Sequence, residues 1–136
     1  MTTITIKYLG ELRTESIHIH SGQHLITDAP LDNHGKGEAF SPTDLLATSL
    51  GTCMLTSMGI SANKHNIYVN GTTCSVIKKM AASPRRVTEI EVELYFPKET
   101  KYSDEEKTTL QRAALTCPVA ESLHPDLIQK VTFNFA

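Results

Sequence analysis

The chain has 136 residues, of which 40% are hydrophobic and 21% are charged, and this composition predicts one globular domain spanning residues 1–136. Thirteen basic and fifteen acidic residues give a net charge of -2, which excludes the basic surplus typical of nucleic-acid-binding proteins. No apolar run approaches the roughly 18 residues of a membrane span, and the N-terminal segment lacks a signal-peptide core. We therefore expect a soluble cytoplasmic protein without nucleic-acid or membrane partners.

The first third of the chain has the pattern of an antiparallel meander. Three short alternating segments, separated by turn residues, are predicted as strands at residues 2–8, 12–20 and 24–27. Ile4 and Ile6 share one face of the first strand. A polar loop of about a dozen residues, 28–40, follows, and loops near this length are usually functional or wrapped on a partner.

A long helix is predicted from Ser41 to about Lys64. Ser41 is a good N-cap, Pro42 suits the first helical position, and Asp44 complements the positive end of the helix. Its residues are apolar around much of the circumference, which is typical of a central, nearly buried helix.

The second half of the chain alternates between strand and helix patterns. Strands are predicted at 71–82, 87–96 and 131–135, and short helices at 103–116 and 118–123. Strands outnumber helices and the first two of these strands pair as a hairpin. The sequence therefore predicts an α+β fold.

Three cysteines, Cys53, Cys74 and Cys117, are the residues that indicate chemistry. An odd, sparse set argues against a structural disulfide framework, and the absence of a CxxC or HExxH motif argues against zinc. His18 and His20 share a strand face, but no third ligand is evident nearby. We predict thiol chemistry without a metal or a cofactor.

Cys53 and Cys117 differ in the environment expected from the sequence. Cys117 precedes Pro118 at a helix start, where unpaired N–H groups favour a thiolate, although a simple capping role explains the position equally well. Cys53 lies in mid-helix and is expected to be an inert core residue unless a cation lies against it. The candidate cations are Arg13, Arg85, Arg86 and Arg112.

Two segments resemble motifs of one protein family. The run Phe40-Ser41-Pro42-Thr43-Asp44-Leu45-Leu46-Ala47, leading to Cys53-Met54, resembles the central-helix motif of OsmC-like proteins. The run Thr116-Cys117-Pro118-Val119-Ala120 resembles their second cysteine motif. The separation of the motifs, the element order and the chain length agree. The resemblance implies antiparallel sheets around a long central helix, in an intertwined homodimer with an active site at each subunit junction.

The resemblance also implies an activity, because OsmC and its relative Ohr are thiol-dependent peroxidases that reduce organic hydroperoxides. Cys53 corresponds to the cysteine that attacks the peroxide, and Cys117 to the cysteine that resolves the sulfenic acid as a disulfide. An external dithiol then restores both thiols. Arg13, the only arginine before Cys53, corresponds to the arginine held over the thiolate.

The sequence departs from the family at the carboxylate that holds this arginine. Thr43 occupies the position of the family's glutamate, and Glu38 in the preceding loop is the candidate replacement. Thr43, Glu38 and Met54 are predicted to contribute to substrate binding. The alternative is a non-catalytic OsmC-like protein that binds a small apolar ligand at the dimer interface; an interaction module with inert cysteines is a third class.

Overall fold

A computed structural model describes residues 1–135 and confirms the predicted α+β fold, in which six strands form two three-stranded sheets. The elements are β1 (Ile4–Gly10), β2 (Arg13–His18), β3 (His24–Asp28), a short 3-10 turn (Leu31–Asn33), α1 (Pro42–His65), β4 (Thr73–Ala81), β5 (Arg86–Tyr95), α2 (Asp104–Leu115), α3 (Pro118–Ser122) and β6 (Ile128–Asn134). One sheet has the order β1-β2-β3 and the other the order β4-β5-β6.

The chain divides into two compact units, and the boundary falls within α1. The first unit comprises Met1–Leu46 and the second begins at Ala47. Each unit contains one of the two sheets. The single domain predicted for residues 1–136 stays a prediction.

The first unit is the predicted antiparallel meander. Ile4 and Ile6 share a face of β1, and the cross-strand register places Ile6 opposite Ser16 and Ser16 opposite Leu25. This face exposes four large apolar side chains, which we call the apolar face: Ile4, Ile6, Tyr8 and Leu25. A sheet face of this kind lacks the cover that usually stabilises a small sheet.

The second unit holds an apolar core. Fifteen hydrophobic residues between Ala47 and Ala120 are buried there, and Leu50, Leu94 and Leu110 have no exposed surface. Helix α1 packs closely on β4, because a Cβ added at Gly51 would lie 3.1 Å from a methyl carbon of Val76. The lack of a side chain at Gly51 therefore sets the distance between the helix and the sheet.

Strand β6 pairs with β5 in parallel, whereas antiparallel sheets were the expectation. The chain reaches β6 only after α2 and α3, and a connection through helices allows a strand to return in the same direction. The predicted hairpin of β4 and β5 is present, and the predicted capping box at Ser103 opens α2.

Helix α1 is buried on one side, so the expectation of nearly complete burial is wrong for the single chain. Six of its residues are buried, while Leu46 and Ile60 are 37% and 54% exposed. By length and composition alone α1 is also apolar enough to cross a membrane, which the sequence had been expected to exclude. The core helix of a soluble protein meets the same criterion, so this is weak evidence for a membrane span.

Candidate active site

The structure brings the sulfur of Cys53 to the start of α3, next to Cys117. Cys53 lies on α1, and Cys117 is the residue immediately before α3. The backbone N–H of Val119 donates a hydrogen bond to the Cys53 sulfur over 3.5 Å. The thiol of Cys117 also forms a hydrogen bond with Cys53. The two cysteines predicted to react together are therefore neighbours in the second unit.

Cys117 is completely buried, and its environment differs from the one expected at a helix start. Burial raises the pKa of the Cys117 thiol, and the hydrogen bond to Cys53 acts in the same direction. The N–H groups of Val119 and Ala120 act in the opposite direction but do not prevail. Of the two alternatives left open for Cys117, the lowered pKa is wrong, because the cost of removing a thiolate from water exceeds the stabilisation that these amides provide.

Cys53 is half-buried and is the sulfur that the start of α3 contacts. On its own helix, Cys53 lies far from either helix end. The contact comes instead from Val119 on a different element. An N–H group that points at a sulfur stabilises negative charge there, so this contact favours nucleophilic chemistry.

Cys74 lies on β4 and packs against α1. A Cβ added at Gly51 would lie 3.3 Å from the Cys74 sulfur, and burial raises the pKa of this thiol. The three cysteines are free thiols in the structure. Cys74 therefore has a packing role, as predicted, and serves as an internal control for reactivity.

In the first unit, Arg13 forms a cluster with two carboxylates. Its Nε and Nη2 donate to the two carboxylate oxygens of Asp28 over 2.7 and 2.8 Å, and Nη2 also donates to Glu38 over 2.8 Å. The hydrogen bonds from Arg13 hold the pKa of Asp28 below its usual range, and both carboxylates raise the pKa of Arg13. Glu38 thus pairs with Arg13, as expected for the candidate replacement of the family's glutamate.

Asp28 was not among the predicted site residues, because the sequence places it at the start of the polar loop. It ends β3 instead, is 1% exposed, and lies directly opposite Arg13 in the register of β2 and β3. The register could have revealed it. In a hairpin that pairs Ile17 with His24, counting four residues outward along each strand pairs Arg13 with Asp28.

The remaining predicted site residues have structural partners in the described part of the chain. The Thr43 hydroxyl lies 3.2 Å from that of Ser41, where Ser41 and Asp44 cap α1 through reciprocal side-chain to backbone hydrogen bonds. Met54 has no exposed surface and packs in the core of the second unit. Burial gives Met54 a packing role, and no substrate contact is open to it without movement.

A second cluster of one cation and two carboxylates lies on the sheet of the second unit, where Lys79 pairs with Glu89 and Glu91, each over 3.0 Å. Arg86 donates to the carbonyl of Pro84, two residues away. Among residues 1–135, no group of three or more histidine, cysteine or acidic side chains has the arrangement of a metal site. The predicted site residues thus form two groups, with Arg13 and its carboxylates in the first unit and the cysteine pair in the second.

Comparison with known proteins identifies the relatives of this chain. The family model for OsmC-like proteins matches residues 35–130. A protein of Psychrobacter arcticus, named for osmotic stress induction and a detoxification response, is 53% identical, with a TM-score of 0.92 over 98% of this chain and 96% of that one. A comparison with curated proteins finds no match.

Two more distant solved structures share the fold. An organic hydroperoxide resistance protein OsmC of Legionella pneumophila is 16% identical, with a TM-score of 0.77 over 98% of each chain. An organic hydroperoxide resistance protein of Elizabethkingia anophelis is also 16% identical, with a TM-score of 0.76 over 100% of this chain and 98% of that one. At this identity, the likeness establishes the fold.

Proposed function

The chain belongs to the OsmC-like family, and we propose that it is a thiol-dependent peroxidase that reduces organic hydroperoxides. One observation carries the proposal: the half-buried Cys53 sulfur lies against the Cys117 thiol and accepts the Val119 N–H. This arrangement supplies a nucleophile, a donor that stabilises its charge, and a second thiol within reach. The relatives named for hydroperoxide resistance support the same substrate class.

The proposed reaction has two steps on the protein. The Cys53 thiolate attacks the O–O bond of the hydroperoxide, forms an S–O bond, and releases an alkoxide that takes a proton to become the alcohol. The Cys53 sulfenic acid then condenses with the Cys117 thiol, forming the disulfide and releasing water. An external dithiol reduces this disulfide by exchange and is itself oxidised.

The raised pKa of Cys117 fits the role of the resolving thiol. Before oxidation, burial and the neighbouring Cys53 keep Cys117 protonated, so the second thiol does not compete for the peroxide. Oxidation of the Cys53 thiolate to a sulfenic acid removes the negative charge next to Cys117, and that charge is among the causes of the raised pKa of Cys117. One cause of the raised pKa then disappears, which favours ionisation of Cys117 at the moment when it must attack.

We assign the guanidinium of Arg13 the role of stabilising negative charge during the first step. Its interaction with two carboxylates keeps it charged at all relevant pH values. The sequence offers no other arginine before Cys53. Thr43, near the start of α1, is proposed to bind the substrate.

A homodimer is part of the proposal, and the apolar face of the first unit supports it. Ile4, Ile6 and Tyr8 are 51%, 69% and 63% exposed in the single chain. Exposed apolar side chains gathered on one sheet face are typical of a surface that a partner covers. A second copy of the chain is the partner expected from the family, and a cytoplasmic location remains a prediction of the sequence.

Peroxide consumption tests the proposed activity. The reduced protein, without added reductant, should consume about one equivalent of cumene hydroperoxide per chain, lose two free thiols, and yield a peptide linked through Cys53 and Cys117. Cys53→Ser should abolish consumption. Cys117→Ser should still consume peroxide and stop at the Cys53 sulfenic acid, which dimedone traps.

The matched control is Cys74→Ser, which removes a thiol outside the proposed pair and should leave consumption and the 53–117 link unchanged. Wild-type protein that keeps all three thiols in the presence of cumene hydroperoxide would exclude the peroxidase, leaving ligand binding as the alternative. A dominant disulfide that includes Cys74 would overturn the assignment of Cys117.

A further inference from the structure

We propose that Asp28 is the residue that positions Arg13 for the reaction, and that Glu38 is only an auxiliary partner. This inference rests on the proposed function, since it concerns how the arginine of that reaction is held. The geometry separates the two carboxylates by burial, by the number of hydrogen bonds and by their backbone supports.

Asp28 makes the stronger and more rigid contact. Both of its carboxylate oxygens accept from Arg13, through Nε and Nη2, in a bidentate arrangement. Its side chain is 1% exposed, whereas that of Glu38 is 64% exposed. Strand pairing places Asp28 opposite Arg13, so two ordered backbones fix this contact. Bidentate, buried contacts of this kind specify orientation as well as strength.

Glu38 depends on Asp28 for its own position. The Glu38 backbone N–H donates to Asp28 Oδ2 over 3.1 Å, so the buried carboxylate holds the loop as well as the arginine. The Glu38 side chain adds one hydrogen bond, to the same Nη2 that already binds Asp28. Ion pairs that are this exposed usually contribute little.

The consequence is a defined free end of the guanidinium. Asp28 and Glu38 occupy Nε and Nη2, while Nη1 has no hydrogen-bond partner among residues 1–135. One third of the Arg13 side chain is exposed. By fixing one edge, Asp28 leaves the two N–H groups of Nη1 to bind a peroxide oxygen.

Two substitutions that each remove a single negative charge distinguish the carboxylates. We expect Asp28→Asn to slow peroxide reduction by about 10-fold to 100-fold, because a misplaced charge costs this much in a preorganised site. Glu38→Gln should change the rate by less than about threefold. The matched control is Glu11→Gln, which breaks only the exposed pair with Lys36.

A double-mutant cycle separates positioning from general damage to the fold. In an Arg13→Ala background, Asp28→Asn should cause little further loss of rate, since the residue that it positions is already absent. If the rate losses of the two single variants multiply in the double variant, Asp28 acts through stability alone and the proposal is overturned. An equal effect of Glu38→Gln and Asp28→Asn would also overturn it.

A measurement on the wild-type protein does not depend on activity or on a folded Asp28 variant. The Nε–H proton of Arg13 should exchange with water about tenfold more slowly than that of the exposed Arg112, as followed by nitrogen-15 NMR. Equal exchange would refute the geometry even if the protein is a peroxidase. Slow exchange in a protein that does not consume peroxide would instead refute the proposed function and leave the anchoring role of Asp28 intact.

Discussion

The two units of the molecule distribute polarity in opposite ways. The first unit buries three polar residues, Thr27, Asp28 and Ser41, while most of its large apolar side chains are exposed. The second unit buries fifteen hydrophobic residues between Ala47 and Ala120. A folded chain normally follows the second pattern, because burial of apolar surface is the main driving force. The first unit therefore has a different task, which is to hold a charged cluster and to offer an apolar surface.

This difference separates two requirements of the proposed chemistry. The core of the second unit gives the cysteine pair a fixed geometry and removes Cys117 from water. The ion pair of the first unit fixes a cation, which needs carboxylates rather than apolar packing. The apolar face then accounts for the stability that the first unit does not obtain from its own interior, provided that a second copy covers it.

The largest difference should appear in truncations of leucine. Leu110 of α2 has no exposed surface, so Leu110→Ala should lower the free energy of unfolding by about 2–5 kcal/mol through lost packing and a cavity. Leu31 of the first unit is 78% exposed, and Leu31→Ala should change the free energy of unfolding by about 0.5 kcal/mol or less. Urea unfolding measures both, and equal effects would contradict the contrast between the units.

The apolar face should control the oligomeric state. Ile6→Asp places a charge in the middle of this face and should weaken the dimer by about 100-fold, the effect typical of a residue at the centre of an interface. Sedimentation at low micromolar concentration should then show monomer, whereas the wild type should sediment at twice the chain mass.

Thr5→Asp is the control for this experiment, because it adds the same charge one residue earlier on the opposite face of β1. It should leave the dimer intact. A monomeric wild type, or equal dissociation by both variants, would mean that the apolar face is not the interface.

Acid should affect the first unit through Asp28. Its folded pKa is lowered, so the stability from ionised Asp28 is fully present above the ordinary aspartate pKa of about 4 and is lost as pH falls through the folded value. Wild type should therefore exceed Asp28→Asn in stability most clearly at neutral pH, and this advantage should shrink below about pH 4.

Urea unfolding at several pH values measures this advantage. Asp126→Asn, at a side chain that is 93% exposed, is the control and should leave the pH dependence of stability unchanged. A constant difference between wild type and Asp28→Asn across the acid range would show that the ionisation of Asp28 is not what stabilises the first unit.

Local signals in the sequence predicted most of the fold. The capping residues Ser41 and Ser103 correctly predicted the starts of two helices. The alternation of apolar and polar residues predicted the strands to within a few residues. The parallel pairing of β6 was not predictable in this way, because the direction of a strand depends on the path of α2 and α3. Patterns report what a segment prefers, whereas pairing direction is a property of the whole chain.

The sequence predicted the two thiols of the site, but it predicted the charged groups and the pKa shifts only in part. Motif resemblance identified Cys53 and Cys117, which the structure brings together. Asp28 was missed because an aspartate at the edge of a loop is not distinctive by itself. Only the strand register shows that it lies opposite Arg13. The thiolate alternative for Cys117 was wrong because a helix start can be read from the sequence, whereas the depth of burial cannot.

The smallest predicted effect concerns the order in which the thiols react. Cys117 belongs to the buried core and its pKa is raised by that burial, so it is protonated at neutral pH and ionises at a higher pH than an ordinary thiol. Cys53 is half-buried and accepts an N–H, so iodoacetamide should modify it before Cys117 in the reduced protein at neutral pH. Cys74, half-buried with a pKa raised by burial, is the internal control and should also react more slowly than Cys53.

Mass spectrometry of peptides sampled over time gives the order of modification. Denaturation in urea should bring the three modification rates to within about threefold, since their differences come from the fold. If Cys117 reacts as fast as Cys53 in the folded protein, burial does not hold it protonated, and the core of the second unit does not separate the roles of the two thiols.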